Sequence, residues 1–313
     1  TFLPEMPVMR HLLTLFDLQP KELEAIFTIT RDLKEKFALG LREPILPGRV
    51  LAMLFERPSL RTRVSFEAAI LQLGGGSLFL GEDVGFGSRE SVEDCGRVLG
   101  QFVDVIVSRT REHESLVEFA SHCACSVING LSEQAHPCQA LADLYTIREQ
   151  LEGLKTLRLA WIGDGNNVAR SLAIGCAKMG YSFVAASPPG FQLDDSFLDK
   201  VRETVPGADV AQIEDPREAV EGAHVVYTDV WASMGQEAEK QSRAEIFAAY
   251  QVDGKLMGLA PEGAVFMHCM PAHRGMEVTA DVLDGSQSVV LEQAANRMHV
   301  QKGLLAWLLG KQS

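Results

Sequence analysis

No stretch of the chain offers the roughly 18 consecutive apolar residues that a helical membrane span requires, so a membrane-embedded protein is not expected. The opening "TFLPEMPVMRHLLTLFDLQP" lacks a basic segment joined to a long apolar core and a small-residue cleavage site, so no secretory leader is expected either. Cysteines are too few and too scattered for a disulfide framework: Cys95, Cys123, Cys125, Cys138, Cys176 and Cys269 suit reduced thiols in a soluble cytoplasmic protein. Positive charge is scarce as well. With 29 Lys and Arg against 42 Asp and Glu, the net charge of −13 argues against nucleic acid or anionic membrane as partners. Any anion must then be captured by a local group of side chains.

Two other absences narrow the chemistry. Neither His122-Cys123-Ala124-Cys125 nor His268-Cys269 with His273 has the paired spacing of a zinc site, so no metal is expected. Gly163 and Gly165 start a dinucleotide fingerprint, but its third small residue is Val168, and the next strand ends at Ser187-Pro188-Pro189 with no acid for a ribose hydroxyl. No cofactor is expected.

What is present is an α/β pattern. A helical segment from about Pro20 to Phe37 precedes the apolar run Arg49–Phe55, which reads as a buried strand. Ser59 then takes an N-cap position, and Phe66, Ala69, Ile70 and Leu73 recur at helical spacing until Gly74-Gly75-Gly76. Strands are expected again at Val103–Ser108 and Ser126–Asn129, with helical stretches between. Near Glu152–Lys155 the chain restarts with "LRLAWIG", a turn through Asn166-Asn167 and the helix "RSLAIGCAKMG". "YSFVAAS", Val225–Thr228 and Ala264–His268 continue as strands, and an apolar helix from about Asn296 closes the chain. The expectation is an α/β protein of two domains, each a mostly parallel sheet flanked by helices. Residues 1–150 form the first, with a helix at about 292–313 packing back on it, and residues 151–291 the second.

The polar motifs fall at strand ends. "ERPSLRTRVSFE" puts Ser59, Arg61, Thr62 and Arg63 on a strand-to-helix turn, where unpaired backbone N–H groups and the helix dipole add to side-chain donors in a phosphate-sized anion site. The same residues admit a structural reading, with Ser59 as a simple cap and the arginines paired to Glu56 and Glu67. Arg109 follows an apolar strand, and His136-Pro137-Cys138-Gln139 opens a helix; open α/β sheets bind ligands at such places.

Taken in order, Ser59-Leu60-Arg61-Thr62-Arg63, His136-Pro137-Cys138-Gln139, Gly163-Asp164-Gly165-Asn166-Asn167, Asp229 through Gly235 and His268-Cys269-Met270-Pro271 span nearly the whole chain. Their order and spacing resemble the aspartate/ornithine carbamoyltransferase family, and its ornithine-using branch in particular. The resemblance implies two α/β domains with the active site in the cleft between them, and a homotrimer or a multiple of trimers. It implies transfer of the carbamoyl group of carbamoyl phosphate to the side-chain amine of L-ornithine, giving citrulline and phosphate in arginine biosynthesis. It assigns carbamoyl phosphate to Ser59, Leu60, Arg61, Thr62, Arg109, His136, Pro137, Cys138, Gln139, Cys269, Met270 and Arg297, and ornithine to Asn167, Asp229, Ser233 and Met234. Arg109, His136, Asp229 and Cys269 take the catalytic roles. Two positions depart from the family pattern: Leu60 stands where the phosphate motif usually carries threonine, and Gly85 where relatives carry glutamine or histidine. The absence of a lysine around Gly85 agrees with an ornithine-type acceptor, and the intact Ser233-Met234-Gly235 favours free ornithine over putrescine or an acylated ornithine, the alternative acceptors.

Overall fold

The computed structural model describes residues 10–154, 156–232 and 239–310, and the chain divides into two compact units, residues 1–138 with 297–313, and residues 139–296. Each is built on a wholly parallel sheet flanked by helices. In the first unit the strands are β1 (Val50–Phe55), β2 (Gly76–Leu80), β3 (Val105–Arg109) and β4 (Ser126–Leu131), in the order β2-β1-β3-β4. The second carries β5 (Arg158–Ile162), β6 (Ser182–Ala186), β7 (Val210–Ile213), β8 (Val225–Thr228) and β9 (Val265–His268), in the order β7-β6-β5-β8-β9. Strands buried on both faces read as continuous apolar runs. Leu51 to Phe55 of β1 and Val225 to Thr228 of β8 are buried without interruption.

Two strands escape the sequence reading. β2 is an edge strand with no fully buried residue, and β7 is a four-residue edge strand whose only buried residue is Val210. An edge strand half in solvent carries neither an apolar run nor a clean alternation, so its pairing to a neighbour is the only thing that defines it.

The chain passes from the first unit to the second inside the helix Pro137–Gln150, upstream of the boundary expected near residue 150. That helix bonds to second-unit residues: Asp143 accepts from Tyr227 and Gln293, while Asn296 donates to Thr146 and Glu149.

In the first unit the helix Pro20–Ala38 starts with proline at its first position and with Glu22 accepting from the Gln19 N–H, and it buries Leu23, Ile26, Phe27, Thr30 and Leu33. The C-terminal helix Val290–Leu309 approaches it through Gly303, where a Cβ would collide with Thr30 Oγ1 and come within 3.0 Å of the Ile26 carbonyl. Gly303→Ala is therefore expected to destabilise the chain by about 1–3 kcal/mol despite alanine's better helix propensity. Adding Thr30→Ala, which removes the obstructing hydroxyl, should recover most of that loss. Urea unfolding of the two variants is the check; a Gly303→Ala chain as stable as the parent would show that the helices separate without cost.

Candidate active site

Both sheets reverse their winding direction once. In the first unit the chain runs outward from β1 to β2, then returns to the other side of β1 for β3 and β4. In the second it runs outward through β6 and β7, then returns beside β5 for β8 and β9. Open α/β sheets leave a crevice beyond the strand C-termini at such reversals. The motif residues lie there: Ser59 and Arg109 follow or end β1 and β3, and Asn166, Asn167 and Asp229 follow β5 and β8.

At the first reversal Arg109 pairs in register with Phe55, and its carbonyl accepts from the Glu56 N–H at 2.9 Å. The β3–β4 register slips between Ser108 and Arg109, an irregularity of the kind that re-aims a side chain. Arg109 is 4% exposed, its Nε is buried without a hydrogen-bond partner, and no acid pairs with its guanidinium among the described residues. Burial and the neighbouring Arg297, Arg57 and Arg61 push its pKa down to about 10. A buried guanidinium repelled by three neighbouring cations, with no acid of its own among the described residues, suits a site for a multiply charged anion.

Ser59 caps the helix Leu60–Gln72, accepting from the Thr62 N–H at 3.3 Å, so the structural reading holds for it in part. Thr62 is fully buried, and its Oγ1 accepts from Ser59 Oγ at 3.0 Å and from Arg297 Nη2 at 2.9 Å. With both lone pairs engaged, the Thr62 hydroxyl proton is left to donate elsewhere. Arg63, expected among the anion donors, instead bonds Glu67 one turn on at 3.1 Å and lies over the Phe79 ring at 3.8 Å. Arg61 is exposed and has no ion pair among the described residues. Arg57, which the sequence reading left out, belongs to the cluster; its place just past a buried strand end was the available signal.

His136 sits in the turn between β4 and the helix Pro137–Gln150. The fully buried Asn129 holds that turn, its Nδ2 donating to Leu13 O, Ser132 Oγ and Ala135 O, while the Cys138 thiol donates to Asn129 O at 3.4 Å. His136 is 5% exposed, and burial together with Arg297 and Arg109 holds its pKa well below the ordinary value, so its imidazole is neutral at pH 7. Burial pushes the Cys138 thiol up to about 12, against the opposing charge of Arg297, which leaves Cys138 protonated and structural. Leu60 is 76% exposed in the first turn of its helix. Gly85 has φ 68, and a Cβ there would meet the Arg89 side chain at 2.6 Å, so the glutamine or histidine of the family pattern would strain this loop.

At the second reversal Asn166 does two jobs. Its Oδ1 caps the helix Asn167–Met179 by accepting from the Val168 and Ala169 N–H groups, and its Nδ2 donates to Asp229 Oδ2 at 2.8 Å. The sequence reading chose Asn167, the first helical residue, and missed Asn166; an asparagine before a helical run is itself the N-cap signal. Asp229 Oδ1 accepts from the Val230 N–H at 2.8 Å and from Cys269 Sγ at 2.9 Å. The Asp229 carboxylate, the His268 ring and Cys269 Sγ lie within 4.8 Å of one another. His268 Nδ1 accepts from the Met270 N–H at 2.9 Å, which places the ring proton on Nε2, 3.4 Å from the buried Glu277. For Glu277, burial raises the pKa, but the nearby His268 ring and hydrogen bonds from backbone N–H groups leave it below the ordinary value, so it stays ionised beside His268. Met270 adopts φ 56, in the left-handed region that side chains seldom occupy, and turns the chain sharply after β9. Ser233 and Met234 lie outside the described residues.

The chain thus presents a cationic, donor-rich group on one sheet and an acidic group with an adjacent thiol on the other. The sequence model described as "aspartate/ornithine carbamoyltransferase, carbamoyl-P binding domain" matches residues 10–149, and the Asp/Orn binding domain model of the same family matches residues 155–308. This chain belongs to the aspartate/ornithine carbamoyltransferase family. The ornithine carbamoyltransferase of Bacillus subtilis is 48% identical over 96% of this chain and 94% of that protein, and that of Methanopyrus kandleri 46% identical over 96% and 97%. Among solved structures, ornithine carbamoyltransferase from Pyrococcus furiosus superposes with a TM-score of 0.93 at 43% identity, covering 97% of this chain and 98% of that one. The anabolic ornithine carbamoyltransferase from Campylobacter jejuni gives 0.90 at 37% identity, covering 96% and 99%. No helix among the described residues is long and apolar enough to cross a membrane.

Proposed function

We propose that the chain is an ornithine carbamoyltransferase, converting carbamoyl phosphate and L-ornithine to L-citrulline and phosphate in arginine biosynthesis. The observation that carries this reading is the buried Arg109, whose guanidinium has no acid partner among the described residues and is repelled by Arg297, Arg57 and Arg61. A phosphate dianion relieves that repulsion, and Ser59, the N–H of Leu60, Arg61 and Thr62 add donors at a helix N-terminus. Neutral His136, Thr62 and Arg109 donate to the carbamoyl carbonyl oxygen, stabilising the charge that develops there as the amine attacks. Gln139 and the backbone oxygens near Cys269 and Met270 hold the carbamoyl NH2, Arg297 also binds carbamoyl phosphate, and Pro137 and Cys138 shape the turn.

On the other substrate, Asn167, Asp229, Ser233 and Met234 receive ornithine. Its side-chain ammonium resembles that of lysine, with a pKa of about 10.4, so it must lose a proton before its nitrogen can attack. Asp229, which accepts from the Cys269 thiol, takes that proton, and its contact with the thiol supports the reading. The new C–N bond then forms as the bond between carbon and the phosphate oxygen breaks; phosphate leaves with the electron pair and takes the second proton from the attacking nitrogen, which leaves neutral citrulline. Assembly into trimers or multiples of trimers and a cytoplasmic location belong to the same reading and rest on the family resemblance.

The deciding experiment offers carbamoyl phosphate with ornithine, putrescine, N-acetylornithine or aspartate and scores both phosphate release and the carbamoylated product. Citrulline from ornithine, with the others slower by at least about a hundredfold, is expected for a site that recognises polar groups with matched partners. A faster reaction with putrescine or acetylornithine would replace ornithine as the acceptor.

A further inference from the structure

Gln139 and Asp143 lie one turn apart on the same face of the helix Pro137–Gln150, and both are buried, at 1% and 0% exposure. Gln139 Nε2 donates to Asp143 Oδ1 at 2.8 Å. A carboxylate only accepts, so this contact fixes which end of the Gln139 amide faces the helix interior. Two more donors converge on Asp143. Gln293 Nε2 reaches Oδ1 at 2.7 Å, and the Tyr227 hydroxyl reaches Oδ2 at 3.0 Å. Burial and the nearby Asp143 keep the Tyr227 hydroxyl protonated well beyond its ordinary range, so it remains a donor. Gln293 is held at both ends, because its Oε1 accepts from the His268 N–H at 3.0 Å. The chain of contacts therefore runs from Gln139 through Asp143 and Gln293 to the residue before Cys269.

We propose that Asp143, with Gln293 and Tyr227 as its other donors, is a positioning residue that turns the Gln139 carbonyl oxygen toward the substrate and so makes the carbamoyl NH2 a recognised group. The inference rests on the carbamoyl phosphate reading above and adds to it the determinant of the acyl end. A glutamine free to rotate would present NH2 or oxygen with similar ease. Held by Asp143, it presents an acceptor, which matches the NH2 of carbamoyl phosphate and has no partner in the methyl group of acetyl phosphate, a close isostere. A site built around a polar match discriminates strongly against an analogue that lacks the matching group.

The measurement is competitive binding of carbamoyl phosphate, acetyl phosphate and inorganic phosphate to the parent chain, Asp143→Asn, Gln139→Leu and the double variant. The parent is expected to prefer carbamoyl over acetyl phosphate by at least about tenfold. Asp143→Asn brings three donors onto a group with one acceptor oxygen, so Gln139 loses its anchor. That ratio should then fall by about tenfold while inorganic phosphate affinity stays within about twofold. A general loss of structure would weaken phosphate as well. The double variant should be no worse than Gln139→Leu alone, because Asp143 acts through Gln139. Additive losses, or an Asp143→Asn chain that keeps the parental ratio, would overturn the proposal. Should Asp143→Asn not fold, Gln139→Leu decides alone: retained discrimination overturns the proposal and lost discrimination supports it. A parent that binds none of the three phosphates would instead overturn the carbamoyl phosphate reading.

Discussion

Asp229→Asn is expected to lower kcat/KM for ornithine by about 10³–10⁶ while leaving carbamoyl phosphate binding to the free enzyme within about twofold. Two losses combine. A carboxylate that pairs with an ammonium in a desolvated site contributes about 1.5–3 kcal/mol, or roughly ten- to a hundredfold in binding. A positioned general base contributes a further 10²–10⁴ or so in rate. The amide keeps the size of Asp229 but brings a donor where Asn166 Nδ2, the Val230 N–H and the Cys269 thiol already donate. One of those donors must lose its partner, so the loop after β8 also shifts. The kinetic signature is a fall in kcat that eases as pH rises and more of the amine is already deprotonated. Steady-state rates against ornithine at saturating carbamoyl phosphate, run across pH, provide the check. Unchanged ornithine kinetics would remove Asp229 from the reaction, and lost carbamoyl phosphate binding would mean that the two substrates are divided between the sheets in another way.

Arg109→Met should produce an opposite pairing of effects: activity lost, resting stability kept or gained. Arg109 is asked to hold phosphate and to donate to the carbonyl oxygen. Removing a buried charged hydrogen bond costs about 1.5–3 kcal/mol in binding, and removing one oxyanion donor about 10²–10³ in kcat. Together they give a fall of about 10³–10⁵ in kcat/KM for carbamoyl phosphate. Methionine fills much of the same volume without a charge, so the ligand-free chain loses a buried cation repelled by Arg57, Arg61 and Arg297. Its urea midpoint is expected to equal or exceed the parent's. The parent should be stabilised by about 2.7 kcal/mol at a phosphate concentration a hundred times its Kd, and the variant should lose most of that response. A variant that unfolds more easily without ligand would show that Arg109 is part of the architecture, and one that still responds fully to phosphate would place the anion elsewhere.

The legibility of the site followed from where its residues lie on the sheets. Ser59, Thr62 and Arg109 could be picked out because each adjoins an apolar strand long enough to be read, and strand C-termini beside helix starts gather ligands. For Arg63, which shares a stretch with Arg61, the structural alternative is the one met: two residues on, the helix has turned it toward Glu67 and Phe79. Asn166 and Asn167 are adjacent and chemically identical, and only the helix boundary distinguishes the cap from the first helical residue. β2 and β7 were illegible because edge strands have one neighbour and little apolar content to betray them.

The sequence by itself determined the α/β alternation, the need for a local anion site in a chain of net charge −13, and the order of motifs that the family shares. These are properties of short segments, set by side-chain periodicity, capping and charge, and they survive without knowledge of what packs against what. The tertiary structure alone decided which arginines crowd together, that the Asp229 carboxylate meets a thiol 40 residues away, and that Asp143 binds Gln139, Tyr227 and Gln293 at once. Those interactions join residues far apart in the chain, 150 positions for Asp143 and Gln293 and more for Arg109 and Arg297. The physical reason is that burial sets their energy: a charge or an amide acquires a strong preference of orientation only when water is excluded and its partners are fixed. Which groups are excluded from water together depends on how parallel strands reverse their winding and close their sheets, and no local pattern encodes that.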